Sequence, residues 1–164
     1  MGTIGGLMLL GAMLVSSGGA EGPQTITPDL AALAHGTGGQ VFNRTVTVTK
    51  ENGRAVARLD ARPGDGGVLL DGLLLSGGTI DVDLKGRNVA QQSFLGIAFH
   101  VVDWTALEAV YFRPFNFRSP DPERRARAVQ YVSHPDHTWQ RLRAERPGQF
   151  EKARSASLLL GTLG

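Results

Sequence analysis

Residues 45–49 alternate Thr and Val one by one, Asn52-Gly53 supplies a turn, and residues 55–59 return as a second strand. A period of two sends successive side chains to opposite faces, which suits a half-buried strand and not a helix. Asn52-Gly53 supplies two residues that tolerate positive φ, as a tight hairpin needs. The alternation returns at 79–84, with Ile80, Val82 and Leu84 inward and Thr79, Asp81 and Asp83 outward. Between them, Gly64-Asp65-Gly66-Gly67 marks a turn before the largely apolar run 68–75. Residues 94–102 are apolar on both faces, as in a strand at the middle of a sandwich. A turn at Asp103-Trp104-Thr105 leads into a strand at 107–113, so these two strands are predicted to pair antiparallel. A polar, Arg-rich excursion at 116–127 precedes a short strand at 128–133. Residues 138–146 have helical spacing and end at Pro147-Gly148. Twenty-two glycines and eight prolines in 164 residues fit many turns. The expected fold is all-β, a two-sheet sandwich with one short late helix.

The start of the chain reads differently. Residues 1–20 carry no charge, residues 3–15 are an apolar run broken by glycines, and Ser16-Ser17-Gly18-Gly19-Ala20 is a small-residue end. That is the form of a signal peptide cleaved near Ala20, and it implies a secreted or periplasmic protein. The run is too short and too rich in glycine for a membrane span. The expected organisation is a signal peptide at 1–20, an irregular leader at 21–40, a sandwich domain at 41–151 and an atypical tail at 152–164. Within the leader, Thr27 is predicted to cap a helical turn at 28–35, with Pro28 in its first position. A formal net charge of +2 gives no reason to expect nucleic acid as a partner. The absence of cysteine excludes disulfides and thiolate catalysis. Nothing in the sequence calls for a cofactor.

Two stretches carry a resemblance. Gly78-Thr79-Ile80-Asp81-Val82-Asp83-Leu84 and Gln92-Ser93-Phe94-Leu95-Gly96-Ile97-Ala98-Phe99-His100 form the first. Ala109-Val110-Tyr111-Phe112-Arg113-Pro114-Phe115-Asn116-Phe117, followed by Val129-Gln130-Tyr131 and Trp139-Gln140-Arg141-Leu142-Arg143, form the second. Over roughly residues 77–151 the chain resembles exported bacterial domains of the concanavalin A-like, laminin-G-like superfamily, including the 3-keto-disaccharide hydrolase-like ones. The resemblance implies a jelly-roll sandwich whose concave face handles glycans, without fixing an activity. Such domains normally continue past Pro147-Gly148-Gln149-Phe150-Glu151 with more strands. Residues 152–164 have no period-two pattern, so an incomplete sandwich, open to edge-strand association, is expected.

Candidate chemistry follows from side-chain type and spacing. Family 16 glycosidases of this fold place acids in a Glu-x-Asp-x-x-Glu pattern on one strand. Asp81 and Asp83 match only part of it, since Gly86 stands where the third acid would fall. A solvated outer face is the better reading of that pair. The candidate glycan site is His100, Tyr111 and Arg113, joined by Asn116, Gln130 and Tyr131, which together supply amide, guanidinium, imidazole and aromatic groups. Strict alternation predicts His100, Tyr111 and Arg113 on one sheet face, opposite Phe99 and Phe112. The competing reading makes Arg113 and Tyr111 structural, paired with Glu108 or loop carbonyls. His134-Pro135-Asp136-His137 suggests zinc but lacks a further ligand, and a loop with Asp136 or Thr138 capping the next helix fits better. Arg124, Arg125 and Arg127 read as a solvated loop that could meet an acidic glycan. Asn43-Arg44-Thr45 matches a glycosylation sequon. The leading expectation is a carbohydrate-binding domain without catalytic residues or a metal. The alternatives are a glycan-cleaving hydrolase using His100 with Asp103 or Glu108, and a partner-binding domain with no sugar site.

Overall fold

The computed structural model describes residues 24–74 and 78–153, with the strand backbone of 3–4 and 6–15. It is mostly β-strand with few helices. The expected cleavage point, residues 16–20, and the end of the expected tail, residues 154–164, lie outside the described residues. No helix among the described residues is long and apolar enough to cross a membrane. After a two-residue strand β1 (Thr3–Ile4) the chain divides at Lys85 and Gly86 into two compact units.

The N-terminal unit holds β2 (Gly6–Val15), β3 (Gln24–Ile26), β4 (Gly39–Phe42), β5 (Val46–Glu51), β6 (Arg54–Leu59), β7 (Arg62–Pro63), β8 (Gly67–Leu70) and β9 (Gly78–Gly86). An antiparallel sheet runs β3-β2-β6-β5, β9 also pairs with β2, and β4 pairs with β8. Asn52 (φ 51°) and Gly53 (φ 78°) make the predicted hairpin between β5 and β6. Val46 and Val48 turn inward, and Thr47 and Thr49 are exposed. On β9, Asp81 and Asp83 are exposed while Val82 and Leu84 are half-buried, as the alternation predicts.

The segment 21–40, expected to be irregular, contributes to the core. A 3-10 turn spans Leu30–His35, and Leu30 and Leu33 form a buried cluster with Ala57. Val46, Val48, Val68, Leu70 and Val82 pack against it. The cap is Asp29 and not Thr27: its carboxylate accepts the Ala31 N–H at 2.9 Å. The turn starts two residues later than expected, so the carboxylate of Asp29 is the group in reach of the free N–H.

The C-terminal unit is built on an antiparallel sheet, β10 (Leu95–Asp103), β11 (Ala106–Phe112), β12 (Val129–His134) and β13 (Glu151–Lys152), in that spatial order. The predicted pairing of 94–102 with 107–113 is present, from Leu95 opposite Phe112 to Phe99 opposite Glu108. Then the register shifts before Asp103 pairs with Ala106. Leu95, Ala128, Val132 and Leu142 are buried. The late helix is α2 (Trp139–Glu145), capped by Thr138. A 3-10 turn (Pro114–Asn116) leads into the excursion at 116–127, which also holds a five-residue helix, α1 (Pro122–Ala126). Asp121 caps α1 and Pro122 takes its tolerated first position, a start signal as local as that of α2.

Candidate functional site

Residues opposite one another on neighbouring strands share a face. Gly96, Tyr111, Gln130 and Glu151 are successive partners across the four strands, so they lie on one face. Phe99, Glu108 and Ser133 lie on the other, together with Tyr131. Gln130 and Tyr131, neighbours on β12, therefore point apart. His100 breaks the alternation. It has a φ of 49° inside the register shift of β10, a left-handed conformation uncommon in a residue with a side chain. The bulge turns its ring to Glu108, and Nδ1 lies 2.9 Å from Glu108 Oε1. The expectation that His100 shares a face with Tyr111 and Arg113 is thus corrected: strict alternation fails where β10 gains residues against β11.

Four of the six expected site residues form one group, in which Arg113, Asn116 and Gln130 are buried and Tyr111 is half-buried. Arg113 is 7% exposed, Asn116 6% and Gln130 not at all. Arg113 donates to the Arg127 carbonyl (2.6 Å), the Tyr111 hydroxyl (3.0 Å) and Gln130 Oε1 (3.2 Å). Gln130 Nε2 donates to the carbonyls of Tyr131 and Phe150, and Asn116 Nδ2 to that of Arg127. Glu151, also buried, lies 3.5 Å from Arg113 and bonds Arg143 through both its oxygens. Burial lowers the Arg113 pKa and raises that of Tyr111. These donors are spent inside the chain, which favours the structural reading of Arg113 and Tyr111, with a loop carbonyl rather than Glu108 as partner. Sequence reasoning missed Glu151 and Arg143. An Arg in an apolar strand signals that a counter-ion exists, but no spacing selects which acid.

The other face carries a short polar chain at the surface. Tyr131 donates its hydroxyl to Glu108 Oε2 at 2.6 Å, while Glu108 Oε1 faces His100 Nδ1. The His100 side chain is 62% exposed and that of Glu108 31%. The Phe99 ring meets His100 edge-on at 5.2 Å, and Phe150 lies beside Tyr131 at 5.7 Å. The Tyr131 bond, and then the one to His100, hold the Glu108 carboxyl below its ordinary pKa. Burial, and then donation to Glu108, raise the Tyr131 phenol.

A carboxyl whose folded pKa lies below its unfolded one stabilises the fold above the unfolded value, and that contribution fades as pH falls through the folded value. Glu108 is therefore expected to stay ionised to below the ordinary carboxylate range. Tyr131→Phe removes its largest cause of depression and should move its titration upward. Carbon-detected NMR of the Glu108 carboxyl reads this directly. An unchanged midpoint in the variant would show that the Tyr131 bond does not form in solution.

The remaining candidates are accounted for locally. Asp103 accepts from the Thr105 and Ala106 N–H groups and the Thr105 hydroxyl, which fixes the turn and lowers its pKa. His134-Pro135-Asp136-His137 is a tight turn closed by paired bonds between Ser133 and His137. No cluster of three or more metal-ligating side chains stands among the described residues. Arg124 pairs with Asp121, and Arg125 bonds the carbonyls of Ser119 and Pro120. Asn43 of the sequon donates to the carbonyls of Pro63 and Asp65. No protein family, curated protein or solved structure matches this chain.

Proposed function

We propose that the chain is an exported carbohydrate-binding domain of the concanavalin A-like, jelly-roll kind, and that its glycan site is the sheet face bearing His100, Glu108 and Tyr131. The observation that carries this reading is the chain Tyr131–Glu108–His100, spread over three neighbouring strands and open to solvent at His100. Sugar hydroxyls both donate and accept, and their C–H faces pack on aromatic rings. Here a fixed carboxylate, an imidazole and the rings of Phe99, Tyr131 and Phe150 offer those partners close together. The Arg113–Glu151 group supports the site from the opposite face by tying β11, β12 and β13, which leaves the binding groups little freedom to lose. The resemblance over residues 77–151 points to the same ligand class. Export rests on the uncharged apolar run before Ala20. Removal of that run would take β2 from the N-terminal sheet and leave β6 with β5 as its neighbour.

Calorimetric titration against a panel of neutral oligosaccharides tests the site. At least one is expected to bind, with affinity falling about tenfold in His100→Ala and in Tyr131→Phe, the effect of one lost hydrogen bond. Unchanged affinity in both variants, with melting temperature preserved, would remove the site from this face.

A hydrolase using His100 and Glu108 is the second reading. The 2.9 Å contact favours it, because a carboxylate on Nδ1 orients an imidazole for proton transfer. A hydrolase would release reducing sugar and lose about a hundredfold or more in rate in Glu108→Gln. A binding domain releases none.

A further inference from the structure

We propose that the C-terminal unit holds a second site, a cleft in which Arg127 and Lys152, backed by Arg143, bind a small oxyanion group, a carboxylate or a sulfate. The cleft encloses about 410 Å³ and is lined by α1, β13 and the end of α2, with Arg127, Arg143, Lys152, Glu123 and Glu151 as its charged residues. Three cations face two acids; Glu151 and Arg143 are bonded to each other, which leaves Arg127 and Lys152 against Glu123. Glu151 is buried and bonded twice by Arg143, with Arg113 at 3.5 Å, and it reaches Arg127 only at 3.9 Å, so little of its charge is left for Arg127.

Arg127 is the unusual residue. Its backbone carbonyl is held by two buried side chains, Arg113 and Asn116, at 2.6 and 3.2 Å. Its guanidinium, 42% exposed, donates no hydrogen bond among the described residues. It has only long contacts, 3.9 Å to Glu151 and 3.7 Å to Glu123, whose own side chain is 78% exposed. Lys152 is exposed and lines the same cleft. A guanidinium fork on a fixed backbone, beside an exposed ammonium in a concave site, can take the two oxygens of a planar carboxylate or two of the four oxygens of a tetrahedral sulfate. Local positive charge in a cleft also concentrates anions from solution. Arg124 and Arg125 do not take part, since each is engaged elsewhere.

The proposal rests on this charge and shape alone and does not require the sugar face of β10–β12. The probes are sodium sulfate, glucuronate and glucose, each titrated into the full chain at constant ionic strength and followed by NMR. Sulfate and glucuronate are expected to bind saturably, moving the signals of Arg127 and Lys152, while glucose leaves them in place. Their order of affinity distinguishes a free anion from the charged group of an acidic saccharide, and either order meets the proposal. Arg127→Gln should weaken binding about tenfold or more, and Lys152→Gln several-fold. Lys152→Gln removes an exposed side chain, so it keeps the test open if Arg127→Gln loosens the fold. Absence of saturable anion binding, equal binding of glucose, or undiminished binding in both folded variants would overturn it.

Discussion

Replacing Glu151 with Gln is expected to destabilise the C-terminal unit by about 3–5 kcal/mol, a large part of the ~5–15 kcal/mol typical of a whole domain. The side chains of Arg113 and Glu151 are only 8% and 6% exposed. Without the carboxylate, the Arg113 guanidinium stays in a buried setting with Arg143 nearby and no counter-charge of its own. The neutral amide retains the shape of Glu151, so the loss reports charge and not a cavity. Its effect should exceed that of replacing any surface pair, such as Arg141 with Glu145, where exposed ions gain little. A double change to apolar residues, Arg113→Met with Glu151→Leu, should recover part of the loss, because the buried Arg113 charge is then gone and the Arg143 charge that remains is 30% exposed and can turn to water. Urea denaturation of the single and double variants gives the comparison. A midpoint for Glu151→Gln close to that of the parent would show that Arg113 does not depend on Glu151.

Gly96→Ala is expected to disrupt the pairing of β10 with β11 and to cost several kcal/mol. Gly96 lies opposite Tyr111. A Cβ there would collide with the Val110 carbonyl oxygen and stand 2.6 Å from Tyr111 Cα and 2.8 Å from its Cβ. Two of those three neighbours are backbone, which cannot swing aside as a side-chain end can, so β10 must move off β11. The displacement would pull His100 from Glu108 and Tyr111 from its place under Arg113. Thermal unfolding and the amide spectrum of the Ala variant measure it. A folded variant with a parent-like melting temperature would mean that the two strands lie farther apart than in this structure.

Much of this was legible in the sequence, for definite reasons. The hairpin at Asn52-Gly53, the faces of β5 and β9 and the pairing of β10 with β11 rest on period-two patterns and on turn residues that announce their own φ. The extents of β12 and α2 also followed from local signals. What escaped was non-local or a matter of backbone. A bulge leaves composition and alternation intact, so nothing in the run from Phe94 to Val102 shows that His100 changes face. The pairing of Arg113 with Glu151 spans 38 residues and leaves no spacing to read. Alternation grouped Arg113 and Tyr111 with His100, and the first two do meet, while Gln130 entered the group on side-chain type alone. Whether such a group faces a ligand or its own chain depends on burial, which depends on the elements packed over it. Asn116 came to the same group through the carbonyl of Arg127, a contact made by a loop. The candidate pair His100 and Glu108 was visible only as the alternative chemistry, and the structure brings it to bonding distance.

The most direct test of the proposed sugar face is an NMR titration of the folded chain with an oligosaccharide shown to bind it. The ring signals of His100 and Tyr131 and the carboxyl carbon of Glu108 are expected to shift together and saturate with one affinity, while the buried Gln130 side-chain amide stays in place. Shifts confined to other parts of the chain, with His100, Glu108 and Tyr131 unmoved at saturation, would contradict it.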